Sequence, residues 1–129
     1  MSAYRILVTG SRQISHHDDA FVVHKLAEAA ASALGAGRPV IIVHGRCPYG
    51  GVDLAAHLWA ERTPGVEPEP HPADWDAHGK AAGPMRNSEM VARGADECHA
   101  FPLSSSRGTI DCLIKAIKAG IPTHVWPLR

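Results

Sequence analysis

Two short apolar runs in this chain are continuous rather than alternating. Tyr4–Gly10 reads YRILVTG and residues 39–45 read PVIIVHG. Consecutive apolar residues closed by a glycine fit a strand covered on both faces, whereas a half-exposed strand alternates. Between them, Phe21, Val22, Leu26, Ala29, Ala30 and Ala33 recur at helical spacing within residues 18–34. Asp18 or Asp19 is expected to cap that helix, and Gly35 and Gly37 to stop it. Gly51–Arg62 predicts a second helix with Val52, Ala55, Ala56 and Trp59 on one face. Residues 66–72 predict an extended edge segment, because their prolines cannot donate to a ladder. Residues 73–83 read as a loop. Pro84 is placed to open a helix that reaches Arg93, with Gly94 as its stop. Residues 97–102 and 122–127 predict two more short strands. The helix between them, residues 108–120, places Ile110, Leu113, Ile114 and Ile117 on its expected buried side.

Strands and helices therefore alternate. That order predicts an α/β, three-layer Rossmann-like fold with a mostly parallel, roughly five-stranded sheet, as one domain over residues 1–129. Open sheets of this kind bind ligands beyond the carboxyl ends of their strands. Four segments fall there: residues 10–15, 44–51, 73–87 and 102–109.

Each segment carries groups suited to an anion. In the first, Gly10 permits a tight turn and close ligand approach, Ser11 and Ser15 offer hydroxyls, and Arg12 offers a planar fork of donors. In the second, His44 and Gly45 end a strand. Gly50 and Gly51 then lead into a helix start, where free N–H groups suit an anion; Asp53 in its first turn can cap it or take ribose hydroxyls. In the third, Arg86 and Asn87 sit early in a helix that gains little from asparagine and opposes a cation there, a local conflict typical of functional sites. Asp74, Trp75, His78 and Lys80 precede them, and Trp75 can stack on a base or cover core. In the fourth, Ser104, Ser105, Ser106, Arg107, Gly108 and Thr109 open the last helix with hydroxyls and backbone amides.

Composition narrows the partners. Thirteen Lys and Arg balance thirteen Asp and Glu, so the formal net charge is zero, and this counts against nucleic acid or an anionic membrane as a partner. Three widely spaced cysteines without CxxC form neither a disulfide framework nor a zinc motif. The expected setting is the reducing cytoplasm, with no signal peptide and no membrane span. Nine histidines show no HxxxH or HExxH spacing, so neither a metal nor any other cofactor is expected, and no GxSxG elbow occurs.

Together these segments resemble the SMF/DprA–LOG (SLOG) superfamily of Rossmann-like nucleotide-binding proteins. TGSRQIS is similar to its GSRxxS-type first loop, and GGVDLAAH to the G-[IV]-D-x-x-A-H element of the DprA branch. RNSEM is similar to the RN element of DprA and the RKxxM element of the LOG enzymes, and P…RGT to the closing glycine-rich loop. The match extends nearly end to end and is nearest to the stand-alone YspA/cpYpsA-related branch, especially in HPADWDAHGKAAGPMRN. The resemblance implies a sensor or binding protein for a nucleotide-derived small molecule, and a homo-oligomer, dimer or tetramer. It implies two alternatives: hydrolysis of a nucleotide N-glycosidic bond, as LOG enzymes perform with an Arg and a Glu, and DprA-like binding of single-stranded nucleic acid. Arg86 matches the LOG arginine. Cys112 occupies the position of the LOG glutamate, with Asp111 one residue early, so Arg86, Asp111 and Asp53 are the candidate catalytic groups, and Asp74 or Asp76 a further acid.

Overall fold

A computed structural model describes residues 2–46, 50–103 and 106–128. Five strands, β1 (Tyr4–Gly10), β2 (Val40–His44), β3 (Val66–Pro70), β4 (Glu97–Phe101) and β5 (Thr123–Val125), form one sheet in the order β3-β2-β1-β4-β5. Every pairing is parallel. The proline-bearing β3 takes an edge, as its missing donors require. Successive residues of β1 point to opposite layers. Ile6 and Val8 pack with Val22, Leu26 and Ala30 of α1 (His16–Gly35) and Val52, Ala56 and Ala60 of α2 (Gly51–Arg62). Leu7 packs on the other face with Met90 of α4 (Ala82–Ala92) and Cys112 and Ala116 of α5 (Arg107–Lys118). The sheet is thus covered on both faces, which is why β1 and β2 read as unbroken apolar runs. No helix among the described residues is long and apolar enough to cross a membrane.

Three local expectations change. Ser15, not Asp18 or Asp19, caps α1: its hydroxyl accepts the Asp18 N–H while Asp18 reaches back to the Ser15 N–H, a capping box. Residues 73–83 are not an open loop. Asp74 accepts the Ala77 N–H and starts α3 (Trp75–His78), and a 3-10 turn (Gly79–Ala81) runs straight into α4. Pro84 is therefore the third residue of α4, not the first; the opening N–H groups of a helix have no intrahelical partner, so proline fits throughout the first turn. Lastly, α5 turns its isoleucines outward. It buries Thr109, Cys112 and Ala116 against β1 and β4 and leaves Ile110, Ile114 and Ile117 about half exposed. The small residues let the helix approach the sheet closely, a preference periodicity alone does not reveal.

A charged clamp ties the sheet edge to its centre. Arg5 on β1 grips Glu69 on β3 through both terminal nitrogens, each at 2.9 Å, and His71 lies 2.7 Å from the same carboxylate. The Arg5 hydrogen bonds hold the Glu69 carboxyl down to about 2, against the opposing effect of burial. A folded-state value below the unfolded one gives stability that is whole above about pH 4.5 and fades as pH falls toward 2. Glu69→Gln is expected to lower the unfolding free energy at neutral pH by about 2 kcal/mol. Denaturant titrations should find the gap between wild type and variant narrowing in acid. An equal gap at pH 7 and about pH 3 would contradict the clamp.

Candidate functional site

The order β3-β2-β1-β4-β5 reverses direction between β1 and β4, and a cavity of about 1220 Å³ opens where these strands end. Its wall begins with the turn after β1. The Ser11 N–H donates to the Phe101 carbonyl, joining the β1 and β4 ends, and the Ser11 carbonyl accepts the Val52 N–H at the start of α2. A Cβ on Gly10 would collide with Val52. Gly51 has φ +78 and lies so close to the Ser11 carbonyl that no side chain fits there. The first two predicted segments are therefore locked together through backbone.

Arg86 and Asn87 supply the opposite wall. Arg86 Nη1 donates to the Gly45 carbonyl, and its Nε donates to Asn87 Oδ1 at 2.9 Å. Asn87 is only 3% exposed, and its Nδ2 donates to the Gly108 carbonyl at 3.1 Å and to Asp111 Oδ2 at 3.0 Å. Asp111 Oδ2 also takes Lys115 Nζ at 2.9 Å. Asn87 is thus fully engaged, which explains its tolerance inside a helix, and it couples α4 to the start of α5. Two of the five guanidinium donors of Arg86 are spent on protein. Nη2 has no protein hydrogen bond among the described residues, and Arg86 lines the cavity. A Cβ on Gly45 would overlap that guanidinium, so a side chain there would have to displace Arg86.

The mouth is strongly cationic although the chain is neutral. Arg12, Arg46, Arg86 and Arg107 line it, against Asp53 as the single carboxylate among the described lining residues. Trp75 on α3 also lines it, with the Arg12 guanidinium 5.8 Å from the ring centroid and the ring edge resting over Gly83. On the β4 side, the Ser106 side chain makes no capping hydrogen bond to α5, and Arg107, Gly108 and Thr109 of its first turn line the cavity. Thr109 is 3% exposed. The Ser106 hydroxyl accepts the Leu103 N–H; Ser104 and Ser105 lie outside the described residues.

The cavity thus gathers Gly10, Ser11, Arg12, Gly45, Asp53, Trp75, Arg86, Asn87 and the Ser106–Thr109 stretch. It does not gather four other candidates. His44 is buried behind the β2 end with its ring against His57. Gly51 serves the contact with Ser11 and lies off the cavity. Lys80 is carried outward on the 3-10 turn. Asp111 is turned away and held by Asn87 and Lys115. Cys112 is wholly buried, and burial pushes its thiol up to about 11, so it offers neither a thiolate nor the carboxylate of the LOG pattern. Thr9, Pro72 and Met90 line the cavity from outside the four predicted segments, and Gln13, Arg46, Ala73 and Leu103 line it from within them without having been singled out. Arg46 was legible in principle, since it follows the strand-closing Gly45.

A second cluster, Glu97, His99 and His124, arises from the register of β4 with β5, which pairs His99 with His124. The two imidazoles stack at 4.8 Å. His99 Nδ1 accepts the Trp126 indole N–H at 3.0 Å, so the His99 proton sits on Nε2 and is donated to Glu97. Metal binding at Nε2 would move that proton to Nδ1, against the indole N–H. The donor set fits a hydrogen-bonded cluster and not a metal cage.

Three comparisons with known proteins bear on the site. The family described as YspA, cpYpsA-related SLOG family matches residues 4–78, which stops short of Arg86. The Gene 61 protein of Mycobacterium phage D29 is 47% identical over 122 residues, 92% of each chain. Among solved structures, the fold is shared with DNA processing protein A from Helicobacter pylori, at 16% identity and a TM-score of 0.69, over 99% of this chain and 67% of that one. That structure concerns a single-stranded DNA binding mode. It overturns the expectation that charge balance counts against nucleic acid. The same fold serves a DNA-binding protein, and whole-chain charge does not describe a mouth lined by four arginines.

Gly45→Ala tests the wall directly. It is expected to cost about 1–3 kcal/mol of stability by overpacking against Arg86. In an Arg86→Ala background the same change should cost much less, giving a coupling energy in a double-mutant cycle. Additive effects would mean that the guanidinium does not occupy the space above Gly45.

Proposed function

We propose, from the premise that the chain belongs to the YspA, cpYpsA-related SLOG family, that it binds a nucleotide or nucleotide-derived small molecule at the carboxyl ends of its strands. The observation that carries this reading is one cavity bordered both by the unspent edge of Arg86 and by the first turn of α5 at Arg107, Gly108 and Thr109. Both are donors suited to phosphate oxygens. Arg12, Arg46 and Arg107 add positive potential, and Asp53 offers acceptors for ribose hydroxyls. Trp75 supplies a ring on which a base can stack beside Arg12. The volume exceeds the roughly 300–1,000 Å³ of ordinary ligand pockets, which leaves room for a ligand with more than one phosphate. The free, buried Cys98 and Cys112 fit the reducing cytoplasm.

A second reading, binding of single-stranded nucleic acid, is supported by the fold shared with DNA processing protein A. Phosphate on arginine and a base on Trp75 would serve one unit of a strand as well as a free nucleotide. Hydrolysis draws less support. Asp111 is engaged by Asn87 and Lys115, and Cys112 replaces the acid that the LOG pattern needs.

Thermal shift with AMP, ADP, NAD and ADP-ribose tests the first reading. A ligand at about a hundredfold over its Kd should raise Tm by about 5–10 °C. Arg86→Ala should weaken that ligand by about 10–100-fold while the variant stays folded. Trp75→Ala should weaken nucleotides but leave inorganic pyrophosphate nearly unchanged. An oligothymidylate that binds with a slope of about −0.7 per phosphate contact in log K against log salt, in the absence of any nucleotide effect, would favour the second reading. A shift that survives Arg86→Ala would refute the assignment of the site.

A further inference from the structure

His44 is 1% exposed and lies behind the cavity wall, yet both its ring nitrogens are engaged. Nδ1 accepts the backbone N–H of Arg46 at 3.0 Å. Nε2 lies 2.9 Å from His57 Nδ1 on α2, and His57 Nε2 lies 3.5 Å from Glu61 Oε2 one turn further along. An acceptor at Nδ1 leaves the single proton of neutral His44 on Nε2. That proton is donated to His57 Nδ1, so the His57 proton sits on its Nε2, toward Glu61. Each hydrogen bond is therefore donated outward, from the cavity wall to the surface carboxylate.

The far end of this chain is an unusual residue. Arg46 has φ +47, the one positive φ at a non-glycine position among the described residues. That conformation is disfavoured for any side chain with a Cβ, and strain of this kind persists where neighbours hold it. The bond from its N–H to His44 is such a hold. Its side chain lines the cavity, and the Gly45 carbonyl beside it is the acceptor for Arg86.

We propose that His44 is a positioning residue that holds Arg46 in its left-handed conformation at the cavity mouth, and that a proton taken up by His57 releases Arg46 and weakens anion binding. The proposal rests on the anion-site reading above. A second proton on His57 must go to Nδ1, where the His44 Nε2–H already points. Either that contact breaks, or His44 shifts its own proton to Nδ1 and meets the Arg46 N–H. In both cases the chain loses the order that fixes Arg46. The groups facing the pair divide clearly. His57 from α2, His71 from beyond β3, Arg46 from its own loop and Arg86 from α4 all disfavour charge on His44, and burial is the largest effect, pushing it down to about 4. Glu61 lies beside His57, the more exposed ring, so solvent protons reach the pair through His57. His71 is occupied separately by Glu69.

The test is ADP affinity by calorimetry for wild type and His57→Gln at pH 8 and about pH 5.5. Glutamine keeps an acceptor toward His44 and a donor toward Glu61 but does not titrate. The two proteins should bind alike at pH 8, and wild type about fivefold more weakly in acid, as expected for one lost hydrogen bond. Taking the ratio cancels the titration of the ADP phosphates. His44→Asn, which can present an oxygen near the place of Nδ1, should bind at both pH values, and His44→Leu should bind weakly at both. A ratio unchanged with pH, or tighter wild-type binding in acid, would overturn the proposal. Imidazole and amide ¹⁵N spectra without ligand separate this from failure of the anion site. His44 should carry its proton on Nε2 at pH 8, and the Arg46 amide should move as His57 titrates in wild type but not in His57→Gln. The opposite tautomer, or a still Arg46 amide, overturns the relay even if ADP never binds.

Discussion

The arrangement depends on one guanidinium held against a strand end. Arg86 is fixed by the Gly45 carbonyl and by Asn87, and Asn87 is fixed in turn by Gly108 and Asp111. Three segments far apart in the chain meet through these bonds: the end of β2, the body of α4 and the start of α5. A buried amide whose every hydrogen-bonding group is used is rigid, and rigidity matters for a cation that must face an anion without folding back onto the protein. Two donors on the protein orient Arg86, and its remaining edge is left for something else. The positive charge is kept close to a helix start that also repels cations. Without an anion, that pairing is a standing electrostatic cost.

The backbone makes this possible through close approach. Gly10 sits against Val52, Gly51 against the Ser11 carbonyl, and Gly45 under Arg86. At Gly10 and Gly51 the neighbours exclude a Cβ, and at Gly45 a Cβ would displace Arg86, so these glycines serve packing between segments. The parallel sheet gathers the loops at one end, and the reversal between β1 and β4 parts them enough to leave a cavity. The His44 chain lies in the layer behind the wall, where a buried ring accepts the N–H of Arg46, a residue that lines the cavity.

Much of this was legible in the sequence because its causes are local. Unbroken apolar runs announced β1 and β2, and helical spacing announced α1 and α2 with their buried faces. The misfit of Arg86 and Asn87 with an ordinary helix start pointed to the wall they form. What stayed hidden depends on tertiary contact. Nothing in the isoleucine stripe of α5 tells that Thr109, Cys112 and Ala116 are the residues the sheet admits. The pairing of His44 with His57 spans two elements, so a histidine at a strand end looked like a ligand contact when it holds the backbone instead. Asp111, a candidate catalytic acid in the sequence, is held by Asn87 and Lys115. Neutral composition hid a cationic mouth, because charge balance averages over surfaces that face different ways.

On the proposed function, separate strand ends act as one anion site around Arg86. Titrating AMP into ¹⁵N-labelled protein tests it most directly. The Arg86 Nε–H, which its bond to Asn87 should keep visible, and the amides of Arg12, Gly108 and Thr109 are all expected to shift along saturating curves with a single Kd. Shifts confined to exposed lysines and arginines elsewhere, or a response at Arg86 that saturates apart from Gly108 and Thr109, would contradict it.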